Sequence, residues 1–230
     1  MNTTNYVLYA VLPYLAVFIA VGGTIWRFNR DPFSFSSLSS QFLEYRRLFW
    51  GSIPWHFGII IILLTHLIAF LIPGPWRRLL SNIDILTALE IIGLALAVAA
   101  LTGLFALAWR RLSNARIRVT SSTMDWVLFV VLIAQVGSGF VVALAYRWGA
   151  DWYMDTSVPW IVSLLKFQPR IEYVTDLPLF VRFHLLLGFG VIGVFPFTRL
   201  VHIISFPFRY LSRPLQVVIW NQKRKFSKPE

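Results

Sequence analysis

The chain has no cysteine among its 230 residues. That removes disulfides, thiolate metal sites, iron–sulfur clusters and the thioether linkage of a c-type haem from this polypeptide. Charge is scarce as well: 13% of residues are Asp, Glu, Lys or Arg, where soluble domains carry about a quarter. Acids are fewer than bases, 10 against 21, for a formal net charge of +11. Segments of about ten residues with alternating hydrophobicity, the mark of a membrane barrel, are missing. The opening MNTTNY lacks a basic n-region, so the first apolar run is expected to stay as a helix and not to be cleaved as a signal.

What is present is apolar. Hydrophobic residues make up 57% of the chain and the mean hydropathy is +0.68. Several runs reach the length of about 20 residues that a spanning helix needs. The expected fold is an all-α integral membrane protein of five transmembrane helices: Tyr6–Trp26, Ile53–Ile72, Ile85–Trp109, Met124–Tyr146 and Leu179–Pro207. Pro54 is read as opening the second helix in its first turn, and Pro73-Gly74-Pro75 as stopping it. Between the fourth and fifth, the connection Arg147–Pro178 holds PWIVSLLKF, too short to span and aromatic enough to lie at the membrane interface. Residues 1–207 form one domain and 208–230 a basic tail.

A basic chain raises the question of nucleic acid, but here the cations sit in short clusters between apolar runs, so no nucleic-acid partner is expected. Segments following the first, third and fifth helices hold fourteen Lys and Arg, and the opposite side six. The positive-inside bias puts the N-terminus outside and the tail in the cytoplasm, in a multi-pass protein of the cytoplasmic (inner) membrane surrounded by lipid.

The chain has four histidines. His56 and His66 lie 10 residues apart in the second helix, and His184 and His202 lie 18 apart in the fifth. Eighteen residues are five turns of an ideal helix, so His184 and His202 share a face; ten residues leave His56 and His66 on a broad side only. The two helices run antiparallel, which pairs His56 with His202 near the inner surface and His66 with His184 further out. The spacings along the helices, ~15 Å and ~27 Å, do not match, so helices or ligand planes must tilt. Intramembrane ionisable residues are functional by default. The plain alternative is a set of histidines bonding helix to helix.

Two axial imidazoles per site without cysteine suit a non-covalent haem b, a six-coordinate centre that transfers electrons. A zinc or non-haem iron site lacks adjacent carboxylates, and a proton relay would want acids between the histidines. Gly58, Gly188 and Gly190 lie within six residues of a histidine and would let a flat macrocycle approach. Arg182 and Arg199 flank the fifth-helix histidines as propionate partners or as interfacial anchors. Asp84 reads as an N-cap acid of the third helix. Glu90, one level deeper, is the candidate proton acceptor for a quinol.

Four motifs carry a resemblance: SSQFLEYRR (Ser39–Arg47), WHFG followed ten residues later by a second histidine (Trp55–His66), PWIVSLLKFQP (Pro159–Pro169) and FHLLLGF…FPFTRLVHIISFP (Phe183–Pro207). Over nearly its whole length the chain resembles the gamma subunit of respiratory nitrate reductase, a membrane cytochrome b. That resemblance implies a dihaem quinol dehydrogenase subunit, with the outer haem b on His66 and His184 and the inner haem b on His56 and His202. It implies electron delivery to an iron–sulfur beta subunit, which feeds a molybdenum-containing alpha subunit that reduces nitrate. The chain departs from some members at Leu86, where they carry a quinol-binding lysine. A nitrite oxidoreductase running in reverse and a histidine-based proton or ion transporter are the alternative readings. The basic tail and the Ser34–Ser52 loop are expected to dock the beta subunit.

Overall fold

The computed structural model describes residues 3–35 and 43–204. The tail 208–230 and part of the Ser34–Ser52 loop lie outside them. Among the described residues the structure is all-helical, with five helices long and apolar enough to cross a membrane. They are α1 (Thr3–Arg30), α2 (Arg46–Leu71), α3 (Ile83–Ser113), α4 (Thr123–Ala145) and α5 (Leu179–Val194, carried on as a 3-10 turn over Phe195–Phe197). In space α2 packs on α3, α3 on α4, α4 on α5 and α5 on α1.

Small residues close the α2–α3 seam. A Cβ at Gly103 would stand 2.6 Å from Trp55 N and 2.7 Å from Gly51 O, and one at Gly58 would stand 2.6 Å from Leu96 O. Without a hydrophobic drive between helices in lipid, such close backbone approach is how they adhere. Gly58 therefore serves the helix seam, a correction to its reading as a macrocycle contact; Gly190 does face open space.

Helix ends are satisfied by named side chains. Asn82 caps α3 through Asp84 N (2.9 Å) and Ile85 N (3.3 Å), so Asp84 is a first-turn acid and not the cap. Ser122 and Asp125 form a capping box on α4. Glu44 accepts from Arg47 N (2.6 Å) and Leu48 N (3.2 Å) at the start of α2, and also receives Arg110 Nε (2.7 Å) from the last turn of α3. One carboxylate thus ties an N-terminus to a neighbouring C-terminus.

The prolines depart from their expected roles. Pro54 sits inside α2, which begins at Arg46. Pro73 does not only stop α2; as a first-turn residue it opens a short helix, Pro73–Leu80, a position that needs no N–H. Pro13 leaves the carbonyl of Tyr9 without its helical donor. A π-turn over Val7–Val11 precedes it, and Trp160 Nε1 donates to Tyr9 O at 2.9 Å.

That bond corrects the reading of PWIVSLLKF as an interfacial segment. The helix Ser157–Leu165 is packed into the protein: Trp160 is fully buried among Tyr9, Ala10, Ile171 and Val174, and Tyr14 Oη donates to Leu164 O (2.8 Å). An indole N–H with a backbone partner in an apolar core costs far less to bury than an unpaired one.

The fifth helix is the largest correction. It does not run unbroken to Pro207. The α-helix ends at Val194, Phe195–Phe197 form a 3-10 turn, Thr198 is extended (φ −114°, ψ 178°), and Arg199–Ile203 form a second 3-10 turn. Pro196 cannot donate and clashes with a continuing turn. The five-turn argument for His184 and His202 therefore fails.

Candidate functional site

The histidines occupy two levels. At the arginine-rich end, where Arg27, Arg47, Arg110, Arg111 and Arg199 gather, the rings of His56 and His202 have centroids 6.1 Å apart and planes at 70°. At the far end His66 and His184 lie within electrostatic reach of one another. His56 and His202 are thus in ring contact, from α2 on one side and the 3-10 continuation of α5 on the other.

Each imidazole is held in the same way. His56 Nδ1 contacts Ser52 O at 2.8 Å and Ser52 Oγ at 3.1 Å. His66 Nδ1 contacts Ile62 O at 2.8 Å. His184 Nδ1 contacts Gln135 O and Ser138 Oγ, both at 3.1 Å. His202 Nδ1 contacts Arg199 O at 2.6 Å. A carbonyl only accepts, so in all four rings the proton belongs on Nδ1 and the lone pair on Nε2.

The local fold dictates these bonds. On α2 each ring turns back to the carbonyl four residues earlier. On the 3-10 turn the same role falls to the carbonyl three residues earlier, as the tighter helix requires. His184 reaches across to α4, and it does so because Gly139 has no side chain: a Cβ there would stand 2.8 Å from His184 Cε1.

This donor set fits a metal held between two opposed imidazoles. Metal-ligating histidines characteristically give their other N–H to a carbonyl or carboxylate. At the arginine-rich end the rings of His56 and His202 are close enough that both would reach one bound metal. Among the described residues no three His, Asp or Glu converge as a metal site, so the donors come as pairs.

The flanking residues differ from one another. Arg182, two residues before His184, has a buried Nε with no hydrogen-bond partner among the described residues. Arg199 is engaged: its Nε and Nη2 both donate to the Asp125 carboxylate, the latter at 2.8 Å. Glu90 Oε1 accepts from Gly149 N at 3.2 Å, fixing the loop after α4 just past Trp148, whose φ is +64°. That loop brings Tyr153 edge-on to His66, 5.6 Å between centroids; burial pushes the Tyr153 hydroxyl pKa up, so it stays neutral. Leu86 is buried beside Ala69, Trp76, Leu80 and Met154, and the Trp76 Nε1 has no partner among the described residues.

Sequence reasoning missed Asp125, Arg27, Gly139 and Tyr153. Asp125 carried a signal, a Ser-x-x-Asp box opening an apolar run. Gly139 carried none, since its partner is 45 positions away.

Five helices long and apolar enough to cross a membrane define a multi-pass membrane protein. Residues 5–221 match the family described as "Nitrate reductase gamma subunit". The chain belongs to that family. It is 35% identical over 211 residues to the nitrate reductase gamma chain of Bacillus subtilis (strain 168), covering 90% of this chain and 94% of that one. It is 30% identical over 219 residues to the respiratory nitrate reductase 2 gamma chain of Escherichia coli (strain K12), covering 93% and 96%. It is also 32% identical over 216 residues to the nitrate reductase-like protein NarX of Mycobacterium tuberculosis (strain ATCC 25618 / H37Rv), covering 90% of this chain and 32% of NarX. The protein is therefore a membrane subunit of a nitrate reductase, part of an oxidoreductase complex with other subunits.

Proposed function

We propose that the chain is the quinol-oxidising subunit of a respiratory nitrate reductase in the cytoplasmic membrane, with one haem b on His66 and His184 and another on His56 and His202. The observation that carries this reading is the shared state of the four imidazoles. Each commits Nδ1 to a backbone carbonyl and keeps its Nε2 lone pair. With no cysteine in the chain, each pair of histidines would hold a non-covalently bound haem. Bound there, the haems supply one-electron transfer between the two ends of the bundle.

The remaining roles belong to this chain's own side chains. Arg182 offers to a propionate its Nε, which has no partner among the described residues; Arg199 is less well placed, because Asp125 already holds its fork. Glu90 accepts a proton from quinol at the far end, and Tyr153 walls that end beside His66. The positive-inside bias puts the arginine-rich end in the cytoplasm and the N-terminus outside. Protons are then released outside. On the cytoplasmic face the Ser34–Ser52 loop and the basic tail dock an iron–sulfur beta subunit, and a molybdenum-containing alpha subunit reduces nitrate. The gamma chain has no thiolate for an iron–sulfur cluster and does not reduce nitrate alone.

The test is a dithionite-reduced minus oxidised spectrum with haem quantified per chain, repeated with a quinol analogue as reductant. Two haems b per chain, both reduced by the quinol, are expected. A featureless spectrum from folded protein would overturn the reading.

A further inference from the structure

We infer that Asp125 and Arg27 are positioning residues for His202, holding the short segment that carries it through bonds to the Arg199 guanidinium and to the Pro196 and Thr198 carbonyls, not to the imidazole. The inference rests on the haem reading above. His202 is the one histidine that does not sit on a spanning α-helix: it lies on the 3-10 turn Arg199–Ile203, cut off from α5 by the extended residue Thr198. A single turn of 3-10 helix has little rigidity of its own, so its orientation has to be imposed from outside.

Two side chains impose it. From α4, the Asp125 carboxylate takes both Nε and Nη2 of Arg199. It is itself fixed by Ser122 N (3.0 Å) and by Arg111 Nη1 (3.2 Å). The backbone carbonyl of that same Arg199 receives the His202 Nδ1 proton. Asp125 is nearly fully buried, and a paired fork of this kind is both strong and directional. The path runs from Asp125 to the Arg199 guanidinium, and from the Arg199 carbonyl to the ligand ring.

From α1, Arg27 Nη1 donates to Pro196 O (2.7 Å) and Thr198 O (3.0 Å), the carbonyls on either side of the break. Its Nε and Nη2 bond Ser34 Oγ (2.9 Å) and Ser34 O (2.7 Å). Gly23 admits the kink: a Cβ there would stand 2.8 Å from Pro196 Cγ. Arg27 thus fixes where the broken helix turns, and Asp125 fixes how the turn after it is rotated.

The measurement is redox potentiometry with low-temperature EPR of low-spin haem, on membranes holding the full chain with its partner subunits. Wild type, Asp125→Asn, Arg27→Gln and Arg27→Lys are compared, with His202→Ala marking which signal belongs to the His56–His202 pair. The expected result is a shifted midpoint potential and a shifted EPR signal for that haem alone in Asp125→Asn and Arg27→Gln. The His66–His184 haem should be unchanged, and Arg27→Lys should fall between wild type and Arg27→Gln. Two unshifted haems in the variants would overturn the inference. Loss of both haems together with the chain, in Arg27→Lys as well, would assign these residues to the fold as a whole and overturn it too. Wild type without haem would overturn the cofactor reading first, and this inference with it.

Discussion

Gly139 on α4 leaves the space that the His184 ring of α5 occupies, with only 2.8 Å between an imagined Cβ and His184 Cε1. Real Cβ contacts are not that short, so Gly139→Ala must turn or push the imidazole away from Gln135 O and Ser138 Oγ. On the haem reading the variant keeps the His56–His202 haem and loses or distorts the other. Haem per chain should fall from two toward one, measured by haemochrome assay.

The histidines themselves give the plainest outcome. His66→Ala or His184→Ala should abolish one haem and quinol oxidation together. His56→Ala or His202→Ala should remove the other haem and leave the first in place. Two haems retained in any of the four would refute the ligand assignment.

Glu90→Gln separates two roles of one side chain. The amide oxygen of Gln can still accept from Gly149 N, so the loop stays anchored. What is lost is a base. If Glu90 takes the quinol proton, turnover with a quinol analogue should fall by on the order of 10²-fold with both haems present; an unchanged rate would confine Glu90 to holding the loop.

Trp160→Phe removes the donor that serves Tyr9 O while keeping most of the buried aromatic volume. Leaving a buried acceptor unpaired costs about 1–3 kcal/mol. A lower Tm in detergent is expected, with haem content unchanged below the transition.

Glu44 sets an acid limit. Burial alone would raise its pKa, but the N–H groups of Arg47 and Leu48 and the Arg110 guanidinium outweigh that and hold the carboxyl below the ordinary glutamate value. A depressed folded pKa means the stabilisation is present above the unfolded value, about 4.3, and is lost as pH falls through the folded one. Glu44→Gln should therefore have a lower Tm than wild type at pH 7, and the difference should shrink below about pH 4.3.

The five helices were legible because twenty-residue apolar runs have few alternatives in lipid, and the histidine pairing followed from antiparallel α2 and α5. The break in α5 was hidden because apolar residues resume after it, at Leu200, Val201, Ile203 and Ile204. Pro196 was the visible mark of it, and the partner that stabilises the break, Arg27, sits 169 residues away from Pro196. Trp160 looked like a belt residue because an indole beside a proline reads the same at an interface or in a core. Only the proline at position 13, which frees the Tyr9 carbonyl, makes the core the better place. Arg199 looked available as a counter-ion because Asp125 is distant in sequence and adjacent only once α4 and α5 pack.

The bonds at the two ends of α1 also bear on how the protein is made. Synthesised before α5, α1 enters the bilayer before the donor to its Tyr9 carbonyl and the Pro196 and Thr198 acceptors of Arg27 have been made. The residues that complete it, Trp160, Pro196 and Thr198, lie 151, 169 and 171 positions along the chain from the groups they bond, and its main packing partner is α5. α1 is thus finished only once α5 has been made, so a nascent chain released before residue 198 would expose an incomplete α1 to membrane quality control.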